Sequence, residues 1–388
     1  MTDRLYYNDP HRVEFDAIVT ASESFEGRPA VRLDRSAFYP TSGGQPHDVG
    51  TLDTVRVVDV IDADDGVLHV VDGEIPVGAR VVGTVDWTRR FDHMQQHTGQ
   101  HVLSAAFDRV SGARTESFHL GVESATIDLG RELTPADIAR AEDDANRIVW
   151  EDRPVTISFV DAAEAAKLPL RKESLREGTL RLVNVEDYDL SACGGTHVRR
   201  TGVIGVIAVT GWERFKGGTR VGFVCGGRAL RAHRRLRDIA ASSVRSLSVL
   251  PDELPAAIER LQAELKDARR SIKDLQLRLA EHEAASLAAG ATNGRVIAAL
   301  DGWDQAALKA IASAIAAKPG HAAALISRPG PSAIVIARHP EAPVDAAAIL
   351  KQVVQKFGGK GGGRPELAQG GGLQADPDEV VRYLGELL

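Results

Sequence analysis

Between residues 13 and 85 the apolar side chains come in short bursts rather than long runs. Val13–Thr20, Ala30–Leu33, Val55–Val60, Val67–Val71 and Val81–Val85 are rich in β-branched residues. Turn signals separate them, among them Glu26-Gly27-Arg28-Pro29 and Asp64-Asp65-Gly66. Short β-branched runs bounded by Gly, Pro and Asp predict strands, and several in one region predict a small barrel over residues 1–90. From Asp92 the period changes. His97, His101, Ala105 and Asp108 fall on one helical face, with Val102 and Leu103 beside it.

Strands are expected next at Ser117–Leu120 and Ala125–Leu129, then a helix from Thr134-Pro135-Ala136-Asp137 to about Trp150. Threonine before proline is the signature of an N-cap followed by the first helical position. Further strands are expected near Val155–Val160 and Leu180–Val185, over the apolar run Val203–Val209 and at Arg220–Val224. These elements predict an α+β domain over 91–228. Residues 229–290 read as helix. Leu254, Ile258, Leu261, Leu265, Ala268, Ile272, Leu275 and Leu279 alternate in steps of four and three, a heptad pattern that predicts a coiled coil or helical hairpin. An α/β rhythm resumes over 291–388. It comprises strands at Arg295–Leu300, Ala323–Ser327 and Ala333–Ala337, helices at Gln305–Ala316 and Asp345–Phe357, and a glycine-rich segment at 358–372. The fold class is therefore α+β and multidomain.

Composition narrows the function. At 43% hydrophobic and 26% charged residues the chain is of ordinary globular type. No run of eighteen apolar residues exists, which excludes a membrane-spanning helix of the usual length, and the polar start at Met1–Pro10 lacks the apolar stretch of a secretory signal. Two cysteines form no disulfide framework, so a reducing cytoplasm is expected. The net charge of −7 hides a local excess. Residues 199–237 carry ten cations (Arg199, Arg200, Arg214, Lys216, Arg220, Arg228, Arg231, Arg234, Arg235 and Arg237) against Glu213 alone, a local +9. Such a stretch suits an RNA backbone. Lys360 and Arg364 lie in the glycine segment, read as a loop whose amides can approach phosphates.

His93, His97 and His101 are spaced by four, which lets two imidazoles on one helix face reach one metal ion. All three cannot, because the outer pair is about 12 Å apart at ~1.5 Å per residue. Spacing does not choose between the adjacent pairs. Cys193-Gly194-Gly195-Thr196-His197 offers the complementary half, a thiolate and an imidazole four residues apart and joined through two glycines.

At these residues the sequence resembles a known family. His97-Thr98-Gly99-Gln100-His101-Val102-Leu103-Ser104 resembles the first zinc motif of the alanyl-tRNA synthetase editing domain, and Cys193 to Val198 resembles the second. Phe38-Tyr39-Pro40-Thr41-Ser42-Gly43-Gly44-Gln45-Pro46 is similar to the glycine-rich motif of the barrel preceding that domain. Gly363-Arg364-Pro365 with Ala368-Gln369-Gly370-Gly371-Gly372 is similar to the C-terminal DHH-associated domain. About ninety residues precede the histidine helix, where a synthetase needs a large aminoacylation domain. The chain is thus identified as resembling the free-standing editing proteins of the AlaX group, in their long form.

The resemblance implies hydrolysis of the ester in mischarged tRNA for alanine, carrying serine and also glycine. It selects His97, His101, Cys193 and His197 around one Zn2+ per chain. It places Ser42, Gly43, Gly44 and Gln45 at the editing cleft. It also gives the C-terminal domain a role in binding the outer part of the tRNA and in forming a homodimer, for which the heptads are another seam. Arg199, Arg200, Arg214, Lys216, Arg220, Lys360 and Arg364 are the expected tRNA contacts. Serine must be accepted and alanine refused, which a hydrogen bond to the substrate hydroxyl achieves. Gln100 and Thr196 are the candidates, ahead of Ser117 and His119. The rival expectation is a non-catalytic tRNA-binding module with structural zinc. A phosphoesterase is disfavoured, since no Asp-His-His triplet occurs.

Overall fold

Strict alternation builds the first element of the molecule. In the strand Glu14–Phe25 (β1), Phe15, Ala17 and Val19 point inward and the residues between them outward. In Arg80–Val85 (β6), Val81, Gly83 and Val85 do the same. Between them lie Arg28–Leu33 (β2), Gly50–Leu52 (β3), Val55–Ala63 (β4) and Gly66–Val71 (β5). The six antiparallel strands close in the order β1-β2-β5-β4-β3-β6 around a core of Phe15, Val31, Leu33, Phe38, Leu52 and Val60. This computed structural model describes residues 2–64, 66–172, 178–328 and 332–388. The second barrel turn signal lies partly outside them, at Asp65. The chain divides into two compact units, Met1–Ser242 and Ser243–Leu388.

The barrel runs directly into helix Trp87–Ser111 (α1). Every residue from His93 to Phe107 is buried, so α1 is a central helix and not a helix with one wet face. That differs from the one-sided pattern expected from the sequence. Thr115–Leu120 (β7), Ala125–Leu129 (β8), Ile207–Phe215 (β12) and Gly218–Cys225 (β13) form a sheet in the order β12-β13-β8-β7 against it. Helix Pro135–Trp150 (α2) packs on α1, capped by reciprocal bonds between Thr134 and Asp137. Val155–Asp161 (β9), Thr179–Val185 (β10) and Asp189–Ala192 (β11) form a separate antiparallel sheet. The apolar run Val203–Val209 is not one strand. A 3-10 turn occupies Thr201–Ile204, Gly205 takes φ +76°, and β12 starts only at Ile207.

Two long helices follow, Gly226–Leu247 (α3) and Leu254–Ala289 (α4). In the second unit Arg295–Asp301 (β14) and Ala322–Arg328 (β15) are parallel, connected by helix Gln305–Ala316 (α5). Ser332–Arg338 (β16), Lys360–Arg364 (β17) and Leu367–Leu373 (β18) complete the sheet β14-β15-β16-β18-β17. Helices Ala346–Phe357 (α6) and Pro377–Leu387 (α7) cover one face, and α5 with Ala280, Ala284 and Ala288 of α4 covers the other. The glycine segment expected as a loop is a β-hairpin with an exposed edge strand. Glycine is required there. A Cβ on Gly363 would lie 2.4 Å from Ala368 Cα.

The heptad side chains of α4 have no helix packed along them. Ile258, Leu261, Leu265, Ile272, Leu275 and Leu279 are 43–63% exposed. No helix among the described residues is long and apolar enough to cross a membrane.

Candidate metal centre

Helix α1 is bounded by local chemistry. The Asp86 carboxylate accepts the Arg89 amide at 3.2 Å at its start, and Gly112 ends it in the left-handed region at φ +64°. His97 and His101 lie one turn apart near its middle. The segment after β11 brings Cys193 and His197 to the same place, and it passes very close to α1. A Cβ on Gly195 would lie 2.1 Å from His97 Cε1, so only glycine admits the imidazole. On the other side a Cβ on Gly99 would lie 2.3 Å from Cys225 Sγ. Cys225 is therefore a packing residue, where α1 rests on β13.

The four side chains offer ligand atoms that all lie within 4.8 Å of one another. Cys193 Sγ is 3.4 Å from His97 Nε2 and 3.3 Å from His197 Nε2. Zinc–nitrogen and zinc–sulfur bonds of about 2.0–2.3 Å set the N···S edge of a tetrahedron near 3.5 Å. The donor set and its spacing fit a zinc-like cation.

Each imidazole is held through its other nitrogen. His97 Nδ1 is 2.8 Å from Gln45 Oε1, His101 Nδ1 is 3.0 Å from Asp189 Oδ2, and His197 Nδ1 is 3.2 Å from Thr98 Oγ1. Such outer bonds fix the tautomer that leaves Nε2 free to ligate. Gln45 belongs to the glycine-rich loop of the barrel, and it also grips Thr196, donating to its Oγ1 at 2.9 Å and accepting from its amide at 3.1 Å. Buried Arg90 anchors the same loop from α1, bonding Asp48 and the carbonyls of Pro10 and Ala37.

Charge follows from these contacts. Against the cost of burial, Asp189 and Cys193 raise the pKa of His101 to about 9. Asp189 falls to about 2 as its bonds to His101 and Arg171 outweigh its burial. Burial opposes ionisation of Cys193, yet the surrounding histidines pull its thiol well below the ordinary value. Burial lowers His197 to about 3. The cluster is thus an enclosed thiolate beside His101, whose proton a bound cation would replace. His93 stands apart. Its Nδ1 has no partner, and burial beside Arg89, Arg228 and Arg90 takes its pKa down to about 3. The pair left open by spacing is brought together as His97 and His101.

A cavity of about 770 Å³ opens on the cluster, and His97, His101 and Cys193 line it. Gln100 lines it as well. Its Nε2 donates to Ser104 Oγ at 2.8 Å, while its Oε1 is enclosed and has no partner among the described residues. Ser42 and Gly43 form part of the wall. Gly44 packs on Phe118, and Gln45 lies behind the wall with Thr196, which is fully buried. Ser117 lines the cavity and is bonded to Asp128 at 2.6 Å; His119 is exposed away from it. Several wall residues carry no motif in the sequence, among them Tyr7, Thr115, Arg171 and Arg181. The available signals were the Tyr6-Tyr7 pair in a segment taken as polar, and an arginine inside the apolar strand Leu180–Val185.

The cationic stretch is less free than its count of +9 suggests. Arg199 pairs with Asp9, Arg200 with Asp152, Arg214 with Glu132 and Arg220 with Asp128. Arg228 and Arg231 share Asp92, and Arg237 pairs with Asp238. Five of these partners (Asp9, Asp92, Asp128, Glu132 and Asp152) come from distant parts of the sequence. Lys216, Arg234 and Arg235 make no ion pair with a described residue. Lys360 and Arg364 are exposed on the edge strand of the second unit.

Comparison with known proteins adds relatives to this geometry. The family described as "Threonyl and Alanyl tRNA synthetase second additional domain" matches residues 180–221, and "DHHA1 domain" matches residues 293–388. The chain is 32% identical over 396 residues to "Alanyl-tRNA editing protein AlaX-L" of Pyrococcus horikoshii, covering 98% of this chain and 96% of that protein. It is 36% identical over 398 residues to "Alanine--tRNA ligase" of Methanoculleus marisnigri, covering 98% of this chain but 43% of the ligase. It therefore spans less than half the length of that ligase. Among solved structures, the C-Ala domain of Aquifex aeolicus alanyl-tRNA synthetase is 29% identical over 24% of this chain and 86% of that one, with a TM-score of 0.22.

Proposed function

The chain belongs to the alanyl-tRNA editing proteins, and from that premise we propose that its cavity hydrolyses the ester of mischarged tRNA for alanine, releasing serine and also glycine. It is a deacylase of aminoacyl-tRNA and not a complete synthetase. One observation carries the reading: three of the four cluster residues line a cavity that Gln100 also lines, and the Gln100 carbonyl oxygen is enclosed without a partner among the described residues. His97, His101, Cys193 and His197 would hold one zinc ion per chain. When bound, zinc supplies Lewis-acid polarisation or a more acidic water.

The protein's own groups do the rest. Asp189, Gln45 and Thr98 orient the three imidazoles, and Arg171 holds Asp189 through a 2.5 Å ion pair. Thr196 acts as a positioning residue, since its hydroxyl is committed to Gln45. Gln100 Oε1 accepts a hydrogen bond from the seryl hydroxyl. Alanine leaves that buried acceptor unpaired, at a cost of about 1–3 kcal/mol. Glycine lacks that hydroxyl as well, so the Gln100 acceptor favours the seryl ester over both the glycyl and the alanyl ester. Ser42 and Gly43 shape the opposite wall.

The substrate is tRNA, contacted by Arg199, Arg200, Arg214, Lys216, Arg220, Lys360 and Arg364. Of these, Lys216 is exposed and Arg214 has a largely exposed side chain, so both can meet phosphate at little cost. A second copy of the chain, through α4 or the second unit, is the remaining partner. The cytoplasm is the compartment that two free cysteines suit.

Four protein ligands also favour a second reading, since structural zinc sites are closed in this way. The chain would then bind tRNA without hydrolysing it. Deacylation assays on Ser-, Gly- and Ala-tRNA with metal-loaded wild type separate the two. The enzyme reading expects Ser-tRNA to be hydrolysed and Ala-tRNA spared. Folded, metal-loaded protein that binds tRNA and leaves all three intact would establish the second. Gln100→Ala should narrow the ratio of Ser- to Ala-tRNA hydrolysis, and an unchanged ratio removes Gln100 as the reader.

A further inference from the structure

Arg181 is a buried cation that pairs with no carboxylate among the described residues. It is 8% exposed, and it forms no ion pair with a described residue. The other cavity-lining arginines differ, since Arg4 pairs with Asp62 and Arg171 with Asp189. Its guanidinium is fixed on two sides. Nε donates to the Tyr7 carbonyl at 2.9 Å and Nη1 to the Cys193 carbonyl at 2.6 Å, while the Cys193 amide donates back to the Arg181 carbonyl at 3.0 Å. Tyr7 lies against it, with the guanidinium carbon 5.7 Å from the ring centroid. Nη2 is enclosed and has no hydrogen-bond partner among the described residues.

An arginine has five donors and stays charged, so burying it without a counter-charge costs several kcal/mol. The thiolate of Cys193 is nearby but is committed to the metal. The missing negative charge is therefore expected to arrive with the substrate. Cys193 supplies both the carbonyl that Arg181 holds and the thiolate of the cluster. The guanidinium thus stands one residue's span from the ligand atom, on the wall of the same cavity.

Resting on the hydrolytic reading of this cavity, we propose that Arg181 is a catalytic residue whose Nη2–H donates to the carbonyl oxygen of the aminoacyl ester as that oxygen becomes negative. Water adds to the ester carbon, and the bond from that carbon to the ribose oxygen breaks. One proton from the water ends on the ribose oxygen and the other goes to solvent as the amino acid leaves as its carboxylate. Arg181 transfers no proton. It supplies preorganised charge, fixed before the reaction by two backbone carbonyls.

The test is steady-state deacylation of Ser-tRNA by wild type, Arg181→Gln and Arg181→Lys, each with bound metal and melting temperature measured. Loss of one such donor costs about 10²–10³-fold in kcat. The glutamine variant is expected to lose that much with KM and metal content unchanged, and the lysine variant less. Millimolar guanidinium should restore part of the activity of Arg181→Ala. A raised KM at unchanged kcat would assign the free donor to a phosphate of the acceptor end and overturn the proposal. Lost metal, or lost melting temperature without guanidinium rescue, would reduce Arg181 to a clamp on Cys193 and overturn it too, as would unchanged kinetics. A wild type inactive on every substrate is a different failure, that of the hydrolytic reading itself.

Discussion

The two units of the chain treat water in opposite ways. The first buries ionisable groups: Arg90 with Asp48, His69, His93, Asp189, Arg181 and the three histidines of the cluster. The second buries aliphatic side chains from both faces of its sheet, and Ser327 and Ser332 are its buried polar residues among those described. It also leaves a row of leucines and isoleucines on α4 in solvent. Burying a polar group is tolerable where each lone pair and proton finds a partner, and the first unit meets that demand nearly throughout. Its exceptions are few: His11 Nε2, His93 Nδ1, Gln100 Oε1 and Arg181 Nη2 are enclosed without partners among the described residues, and the last two belong to residues lining the cavity. In the second unit Arg328 Nε is the one such atom among the described residues, and the larger unmet demand is apolar and faces outward. The first unit is built for a small polar ligand, the second for a surface.

Several experiments can break or sharpen that contrast. The largest effect is expected from Cys193→Ala, which should lower metal affinity by more than about 100-fold, beyond the 10–100-fold usual for outer-sphere partners, and leave the second unit's melting transition in place. Metal content after dialysis against a chelator, with calorimetry, checks both. Acid should also divide the units. Burial holds the folded pKa of His69 at about 4 and that of His93 at about 3, below the unfolded value of 6.5. The unfolded chain then takes up protons first. The stability contributed by the neutral folded rings is present above pH 6.5 and is lost as the pH falls toward those values. At pH 5 the loss is on the order of 2 kcal/mol for each ring. No histidine of the second unit is buried, so its transition should move much less; scanning calorimetry at pH 7 and pH 5 decides.

A smaller effect is expected at Asp189→Asn, which removes the charge that orients His101 and should cost 10–100-fold in metal affinity. A competition titration with a chromogenic chelator measures it, and an unchanged affinity would deny Asp189 its orienting role. The smallest effect on fold stability belongs to the pair Leu265→Glu and Ile272→Glu on α4. These side chains are already half in water, so the unfolding free energy should hold to within about 0.5 kcal/mol. Sedimentation should show self-association abolished if α4 is the seam between two copies. A large drop in stability would mean the seam is covered within one chain.

Much of the first unit was legible because its chemistry is local. The four-residue spacing of the histidines and the Cys193–His197 pair each fit within one turn or loop. What spacing could not choose, between His93 and His101, is decided by residues far away in the chain: Asp189 reaches His101, whereas arginines surround His93. The count of +9 overstates the free charge for the same reason, since Asp9, Asp92, Asp128, Glu132 and Asp152 pair with the stretch from outside the window. Gly205 at φ +76° broke an apolar run that composition alone extends into one strand. Arg181 had only a faint signal, a charge among the apolar residues of β10. A residue pattern reports whether a side chain needs a partner; the fold decides where that partner comes from.

The central claim is that the cavity beside the cluster hydrolyses mischarged tRNA and spares the correct one. The direct measurement is single-turnover deacylation of Ser-tRNA and Ala-tRNA for alanine by metal-loaded wild type, with Cys193→Ala protein alongside. Rapid loss of the seryl ester, persistence of the alanyl ester and no hydrolysis by the variant are the predicted result. Equal rates on both esters, or equal rates in the two proteins, would contradict the account.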